Sequence, residues 1–193
     1  RRSEHVNTEI IFVIDRSGSM ASLNAAACAG FNSFIDEQRT VVGNARVSLV
    51  FFNDFVRNEF GPAPIERVAK LSSIQPSGMT AMYDGIGKAI DEHSLRISRE
   101  HWAHQVIFVT ITDGHENSSR SYTLHKVAGM INEMRSAGWQ FIFMGANIDA
   151  AATARSMNMD DATAYQFDAT AAGVQNVYAQ ASATTRAMRS WGL

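Results

Sequence analysis

The sequence contains little cysteine, little proline and no long hydrophobic run. Its single cysteine, Cys28, excludes an internal disulfide framework and a thiolate metal cluster. No stretch approaches the run of about 18 apolar residues that a membrane helix needs. The apolar run at residues 10–14 is also too short for the core of a signal peptide. These absences lead us to expect a soluble, cytoplasmic protein that does not bind a membrane.

The sequence also lacks a marked excess of either charge. Its 17 Lys and Arg residues against 19 Asp and Glu give a formal net charge of −2, which argues against nucleic-acid binding through a broadly basic face. Hydrophobic residues make up 46% of the 193 residues and charged residues 19%, as in ordinary globular proteins. A chain of this length fits one domain. We expect a tail at residues 1–7 and a single domain at residues 8–193.

Strand-like and helix-like segments alternate along the chain. Runs of mostly apolar residues, typical of strands buried on both faces, lie at residues 10–14, 105–112 and 140–144. Residues 45–52 and 55–60 predict a hairpin whose second strand is an antiparallel edge, ended by Pro62 and Pro64. A weak final strand is predicted at residues 164–167.

Apolar residues at helical spacing predict the segments that cover this sheet. The predicted helices span residues 23–38, 81–97, 149–157 and 169–191, with a further helix, capped by Ser121, that ends before Gly138. The alternation predicts an α/β fold: a doubly wound, Rossmann-like, mostly parallel sheet with one antiparallel edge strand and helices on both faces.

Oxygen-bearing side chains occupy three of the predicted loops. The first strand runs into Asp15, Ser17 and Ser19, another buried strand ends at Asp113, and Thr80 precedes a helix. In a doubly wound fold, ligands bind outside the carboxyl ends of the strands, where the strand order reverses. All five are hard ligands, and no His or Cys is among them. The set therefore favours Mg²⁺, Mn²⁺ or Ca²⁺ over zinc.

This set of residues resembles the metal-ion-dependent adhesion site (MIDAS) of the von Willebrand factor A-type (vWA) domains. Asp15, Ser17 and Ser19 match the Asp-x-Ser-x-Ser signature of that family, Thr80 matches its metal-site threonine and Asp113 its second aspartate. The resemblance covers roughly residues 8–190. The segment Gly-Ala-Asn-Ile-Asp-Ala at residues 145–150 is similar to small stand-alone bacterial and phage members.

The resemblance implies a binding module rather than an enzyme. A bound Mg²⁺ would accept a Glu or Asp carboxylate from a partner protein. Ser17 and Ser19 would bind the ion directly. Asp113 would bind it directly in a closed form and Thr80 in an open form, with Asp15 acting mainly through water.

Four more residues follow the proposed ligands in sequence and are candidates for a rim that the partner contacts: Met20, Met79, His115 and Glu116. Each also has an ordinary interpretation. The two methionines could pack beneath the site, and His115 and Glu116 could belong to a solvated loop.

Two other functions stay open from the sequence. A metal-assisted hydrolase would use the same ion to activate water, with His115 or Glu116 as the only candidates for a general base. A structural subunit would use the ion only to fix three loops. Nucleotide binding has no support, because no glycine-rich phosphate motif follows a predicted strand.

Overall fold

The computed structural model describes residues 6–191, apart from the Trp191 side chain, and a six-stranded sheet lies at its centre. The strands are β1 (Asn7–Asp15), β2 (Asn44–Phe52), β3 (Val56–Pro64), β4 (Gln105–Thr112), β5 (Gln140–Gly145) and β6 (Ala164–Gln166). They lie in the order β3-β2-β1-β4-β5-β6, and β3 alone runs antiparallel to its neighbour. The predicted sheet is confirmed. The predicted tail falls mostly outside the described residues, so its boundary stays a prediction.

Helices cover both faces of the sheet. They are α1 (Asn24–Gln38), α2 (Met82–Glu100), α3 (Leu124–Ser136), α4 (Ala150–Ser156) and α5 (Ala171–Trp191). Because successive side chains of a strand point to opposite faces, Ile10, Phe12 and Ile14 of β1 pack with α1 and α5. Ile11 and Val13 pack on the other face with α2, α3 and α4. The predicted doubly wound α/β fold is therefore confirmed.

The edge strand β3 is longer than the sequence predicts. We expected Pro62 and Pro64 to end it near residue 60, but it continues to Pro64. Its pairing with β2 shifts register between Phe60 and Ala63, which places Pro62 in an irregular part of the ladder. Proline is tolerated there because an edge strand has a row of N–H groups without a strand partner.

The start of α3 also differs from the prediction. Its N-cap is Thr123, whose hydroxyl accepts a hydrogen bond from the N–H of Lys126 at 3.1 Å. Ser121 instead belongs to the preceding loop, where its N–H donates to Asp84 at 3.0 Å. A 3₁₀ helix at Gly18–Leu23, which was not predicted, joins β1 to α1.

The strand order reverses between β1 and β4. The chain passes from β1 to β2 and β3 on one side, then returns to β4, β5 and β6 on the other. The loops that follow β1 and β4 therefore leave in opposite directions, and a crevice forms between them. Asp15 ends β1 and Asp113 directly follows β4.

Within residues 6–191, none of the helices combines the length and the apolar character that crossing a membrane requires.

Candidate metal centre

The end of β1 carries a buried carboxylate whose two oxygens are held by neighbouring groups. Asp15 has no exposed surface. Its Oδ1 accepts the backbone N–H of Ser17 at 2.7 Å, and its Oδ2 accepts the hydroxyl of Thr112 at 2.8 Å. Thr112 is the last residue of β4, so this contact joins β1 to β4 where the strand order reverses. Thr112 could not be predicted from the sequence, since a threonine that ends a buried strand matches no motif.

A row of oxygen atoms runs from the loop after β1 to the loop after β4. Ser17 Oγ lies 3.2 Å from Ser19 Oγ, and the Ser19 hydroxyl donates to Asp113 Oδ1 at 2.9 Å. Ser17 and Asp113 are buried, whereas Ser19 is exposed. The structure thus brings these three predicted ligands together with Asp15, and Ser19 opens the cluster to solvent.

The loop that carries Thr80 is hydrogen-bonded to the loop after β1. The N–H of Gly18 donates to the carbonyl of Gly78 at 2.9 Å, and the N–H of Ser77 donates to the carbonyl of Arg16 at 2.9 Å. Gly78 has a φ of +76°, a left-handed conformation that glycine adopts at little cost. The buried Thr80 follows two residues later.

Thr80 is also joined to the loop after β4. Its N–H donates to Asn117 Oδ1 at 2.9 Å, and its carbonyl accepts the N–H of Asn117 at 2.9 Å. Asn147 also binds the loop after β4, because its Nδ2 donates to the carbonyl of Asp113 at 2.9 Å. The three loops that carry the five predicted ligands are therefore connected to one another by hydrogen bonds. That these residues bind a metal ion stays a prediction.

The turn between β2 and β3 supports the Thr80 loop from the other side. Asn53 Nδ2 donates to the carbonyl of Ser77 at 3.0 Å, and the Asn53 carbonyl accepts the N–H of Ala81 at 2.8 Å. Asp54 Oδ2 accepts the N–H of Met79 at 3.0 Å. These contacts could not be predicted from the sequence, because Asn and Asp at a turn are usually explained by the turn itself.

The electrostatics of the cluster suit a divalent cation. Burial raises the pKa of the Asp15 carboxyl, and the nearby Asp113 charge adds to the increase, while hydrogen bonds from Ser17 and Thr112 oppose it. Among the residues described, no Lys or Arg forms an ion pair with either carboxylate. A divalent cation would neutralise both.

The types of donor atom fit the same kind of ion. Carboxylate and hydroxyl oxygens are the ligands of hard cations such as Mg²⁺, Mn²⁺ and Ca²⁺. The part of the chain that the structure describes has no group of three or more His, Cys, Asp or Glu residues suited to a metal. Any ion held here would therefore depend on the serine and threonine hydroxyls as well as on Asp15 and Asp113.

The rim candidates Met20, Met79 and His115 have different environments. Met20 is fully buried and packs in the core beside α1, so its prediction as a rim residue is wrong. The 3₁₀ helix after β1 turns this side chain inward, away from the loop surface. Met79 is 50% exposed and His115 is exposed, so both are accessible to a partner.

The fourth rim candidate, Glu116, anchors its own loop to the start of α2. Its Oε2 accepts the N–H groups of Ser118 at 2.7 Å and Ser119 at 3.2 Å. Its Oε1 accepts the N–H of Tyr83 at 3.3 Å and the hydroxyl of Ser119. Tyr83 lies in the first turn of α2, where N–H groups need acceptors from outside the helix. Both oxygens of this half-buried carboxylate are thus occupied.

Asp84 fixes the rest of the loop that follows β4. Its buried carboxylate accepts three backbone N–H groups, from Arg120 at 2.9 Å, Ser121 at 3.0 Å and Tyr122 at 2.9 Å. This role of Asp84 could not be predicted from the sequence, since an aspartate near the start of a helix is usually explained by the helix dipole. Asp84 and Glu116 together hold residues 116–122 against α2.

Residues 9–187 match the family model described as von Willebrand factor type A domain. The match covers most of the chain. No curated protein matches the sequence.

Solved structures with a similar fold have low sequence identity to this chain. Proximal thread matrix protein 1 from the mussel byssus, in a structure with a zinc-occupied MIDAS motif, has a TM-score of 0.68 at 16% identity, covering 94% of this chain and 46% of that chain. The pilus adhesin SpaC from Lactobacillus rhamnosus GG, in an open conformation, has a TM-score of 0.70 at 13% identity, covering 96% of this chain and 30% of that chain.

A third similar structure matches over nearly the full length of both chains. The vWF domain of the type V pili tip protein Mfa5 from Porphyromonas gingivalis has a TM-score of 0.62 at 12% identity, covering 94% of this chain and 96% of that chain. By contrast, this chain spans about half the length of the mussel protein. At such identities these likenesses show the fold alone.

Proposed function

Because the chain belongs to the von Willebrand factor type A domain family, we propose that it is a metal-dependent protein-binding module whose partner supplies a Glu or Asp carboxylate. The observation that carries this proposal is the row of oxygens from Ser17 through Ser19 to Asp113, with spacings of 3.2 and 2.9 Å. A bound ion would supply a coordination position that an outside carboxylate can fill.

The proposed ligands have separate roles. Asp15 and Asp113 balance the charge of a divalent ion, while Ser17 and Ser19 contribute oxygens without adding charge. Of these four residues Ser19 is the exposed one. A partner carboxylate therefore approaches from the side of Ser19, and Thr80 borders the same crevice from the loop opposite.

We propose Mg²⁺ as the ion, with Mn²⁺ and Ca²⁺ as alternatives. The donor set supports this choice, since oxygen ligands without His or Cys suit hard cations. The zinc in the MIDAS motif of the mussel thread protein supports a divalent ion at the matching motif. Calorimetric titration of the protein with each of the three cations decides among them.

The module is proposed to be non-catalytic. A hydrolase would need a general base, and Glu116 is unsuited to that role because both of its oxygens accept hydrogen bonds from its own loop and α2. His115 makes no side-chain hydrogen bond within residues 6–191, whereas a catalytic base is usually oriented by a third group. Ester or phosphate turnover that disappears in His115→Ala would support the hydrolase instead.

Replacing the two serines tests the metal site. We expect Ser17→Ala combined with Ser19→Ala to abolish Mg²⁺ binding measured by calorimetry, because it removes two of the proposed direct ligands. The far-ultraviolet circular dichroism spectrum should not change, since neither hydroxyl supports a helix or a strand.

A matched pair of serines controls for the loss of two hydroxyl groups. Ser98 is exposed and Ser94 is half-buried on α2, and each hydroxyl donates only to a carbonyl of that helix. Ser94→Ala with Ser98→Ala should bind Mg²⁺ as the unchanged protein does. Equal Mg²⁺ affinity in both double variants would refute the site.

A further inference from the structure

Two large apolar side chains are exposed beside the candidate metal centre. Phe55 is 75% exposed and Met79 is 50% exposed. They belong to different loops, which are joined because Asp54, next to Phe55, accepts the N–H of Met79 at 3.0 Å. Met79 directly precedes Thr80, a proposed metal ligand. We call this exposed pair, Phe55 and Met79, the apolar ridge.

The fold does not need these two side chains. The N–H of Phe55 donates to Asn53 Oδ1 at 3.0 Å, and its carbonyl accepts the N–H of Asn53 at 3.0 Å. Met79 likewise contributes its N–H to Asp54. Polar residues could make the same backbone contacts, so the turn geometry does not explain why large apolar side chains stand in solvent at both positions.

The surface behind the ridge offers a free positive group. Phe55 borders a cavity of about 240 Å³ whose other lining residues include Asp54, Asp84 and Arg120. Both carboxylates accept backbone N–H groups of this chain. The exposed Arg120 side chain makes no hydrogen bond or ion pair within the described part of the chain. The Arg120 guanidinium can therefore pair with a carboxylate of an acidic segment.

We propose that the apolar ridge binds a large apolar side chain on the same partner segment whose carboxylate reaches the candidate metal centre. This inference rests on the proposed function. It specifies the partner as a protein segment in which Glu or Asp lies within a few residues of Phe, Leu, Ile, Met or Trp. A carboxylate alone is common to all acidic proteins, so the ridge supplies the selectivity, since buried apolar anchors dominate the energy of protein interfaces.

A peptide library with one fixed central glutamate and randomised flanking positions tests the ridge. The library is selected on the full chain with Mg²⁺ and, separately, with a chelator. We expect Mg²⁺-dependent peptides to be enriched in large apolar residues close to the glutamate. The Phe55→Ser, Met79→Ser double variant should lose this enrichment and bind the selected peptides about tenfold more weakly.

The control is a second pair of exposed apolar residues far from the site. Val42 is 66% exposed just before β2, and Leu95 is 52% exposed in the second half of α2, so both lie towards the other end of the sheet. Val42→Ser with Leu95→Ser should keep both the enrichment and the affinity. Thermal unfolding of both double variants checks that the fold is unchanged.

The possible failures can be told apart. Selection without any Mg²⁺-dependent acidic peptide would overturn the proposed function, and the ridge proposal with it. Mg²⁺-dependent acidic peptides without an apolar preference would overturn the ridge proposal alone. A preference that survives in the Phe55→Ser, Met79→Ser variant would overturn the ridge proposal in the same way.

Discussion

At the scale of single residues, His93 is a neutral imidazole enclosed in the protein. It is 4% exposed, and its Nδ1 lies 3.1 Å from Nη2 of Arg96. Because a guanidinium can only donate, Nδ1 accepts and the ring proton resides on Nε2. Burial and, to a smaller extent, the Arg96 charge lower the pKa of His93 to about 4, while the Glu9 charge opposes the shift.

This shift predicts a loss of stability in mild acid. The ordinary pKa of 6.5 lies above the folded value of about 4, so between these values the unfolded chain binds more protons than the native protein. The contribution of the neutral His93 to the free energy of unfolding is therefore fully present above pH 6.5 and is lost as the pH falls towards 4. We expect the free energy of unfolding to drop by about 2 kcal/mol between about pH 7.5 and pH 5 from this residue.

Urea unfolding of the protein and of His93→Gln at both pH values measures this contribution. Glutamine retains an acceptor for Arg96 but does not titrate, so the variant should lose about 2 kcal/mol less than the unchanged protein over the same interval. Equal losses in the two proteins would show that His93 does not titrate on unfolding as its burial implies.

At the scale of elements, β4 is one of the two central strands of the sheet. Phe108 has no exposed surface, and its ring centroid lies 5.3 Å from that of Phe141 and 6.2 Å from that of Trp139. We expect Phe108→Ala to lower the free energy of unfolding by about 3–5 kcal/mol, because it leaves a cavity that rigid neighbours cannot fill. Chemical denaturation measures the change.

A phenylalanine on the surface provides the control for that experiment. Phe55 is 75% exposed, so Phe55→Ala should change stability by less than about 0.5 kcal/mol. If the two substitutions cost the same, the burial of β4 between two helical layers would not be what stabilises the sheet.

The sequence predicts those helices and strands that are determined by their own residues. The apolar runs of β1, β4 and β5 are recognisable because a strand buried on both faces needs apolar residues throughout. The extension of β3 through Pro62 is not local, since it depends on the strand lying at an edge and on the irregular pairing with β2. Met20 was misplaced for a related reason: a 3₁₀ helix that no motif signals turns its side chain into the core.

The same distinction holds within the candidate site. Asp15, Ser17, Ser19, Thr80 and Asp113 could be proposed from the sequence because their types and spacing match a family signature. The residues that position their loops could not, because each acts on a distant part of the chain. Asn117 binds the backbone of Thr80, and Asp84 holds the N–H groups of residues 120–122. Asn and Asp are common in loops and at helix starts, so composition does not reveal such contacts.

At the scale of the whole molecule, the candidate metal centre joins the two halves of the sheet. The loop after β1 leads to the half that contains β2 and β3, and Asp113 follows β4 in the other half. The Thr80 loop lies between them and is bonded to both. An ion held by all three loops would therefore oppose their separation during unfolding.

This arrangement predicts that Mg²⁺ stabilises the entire domain. A ligand that binds the native state but not the unfolded chain raises the free energy of unfolding by about 2.7 kcal/mol at 100 times its dissociation constant. We expect that increase in chemical denaturation with Mg²⁺, and its reversal by a chelator. The Ser17→Ala, Ser19→Ala variant should show no increase, because its unfolded chain meets the same ion concentration but its native state cannot bind. If both proteins gained the same stability, the ion would be acting on the general surface, and the three loops would not form a metal centre.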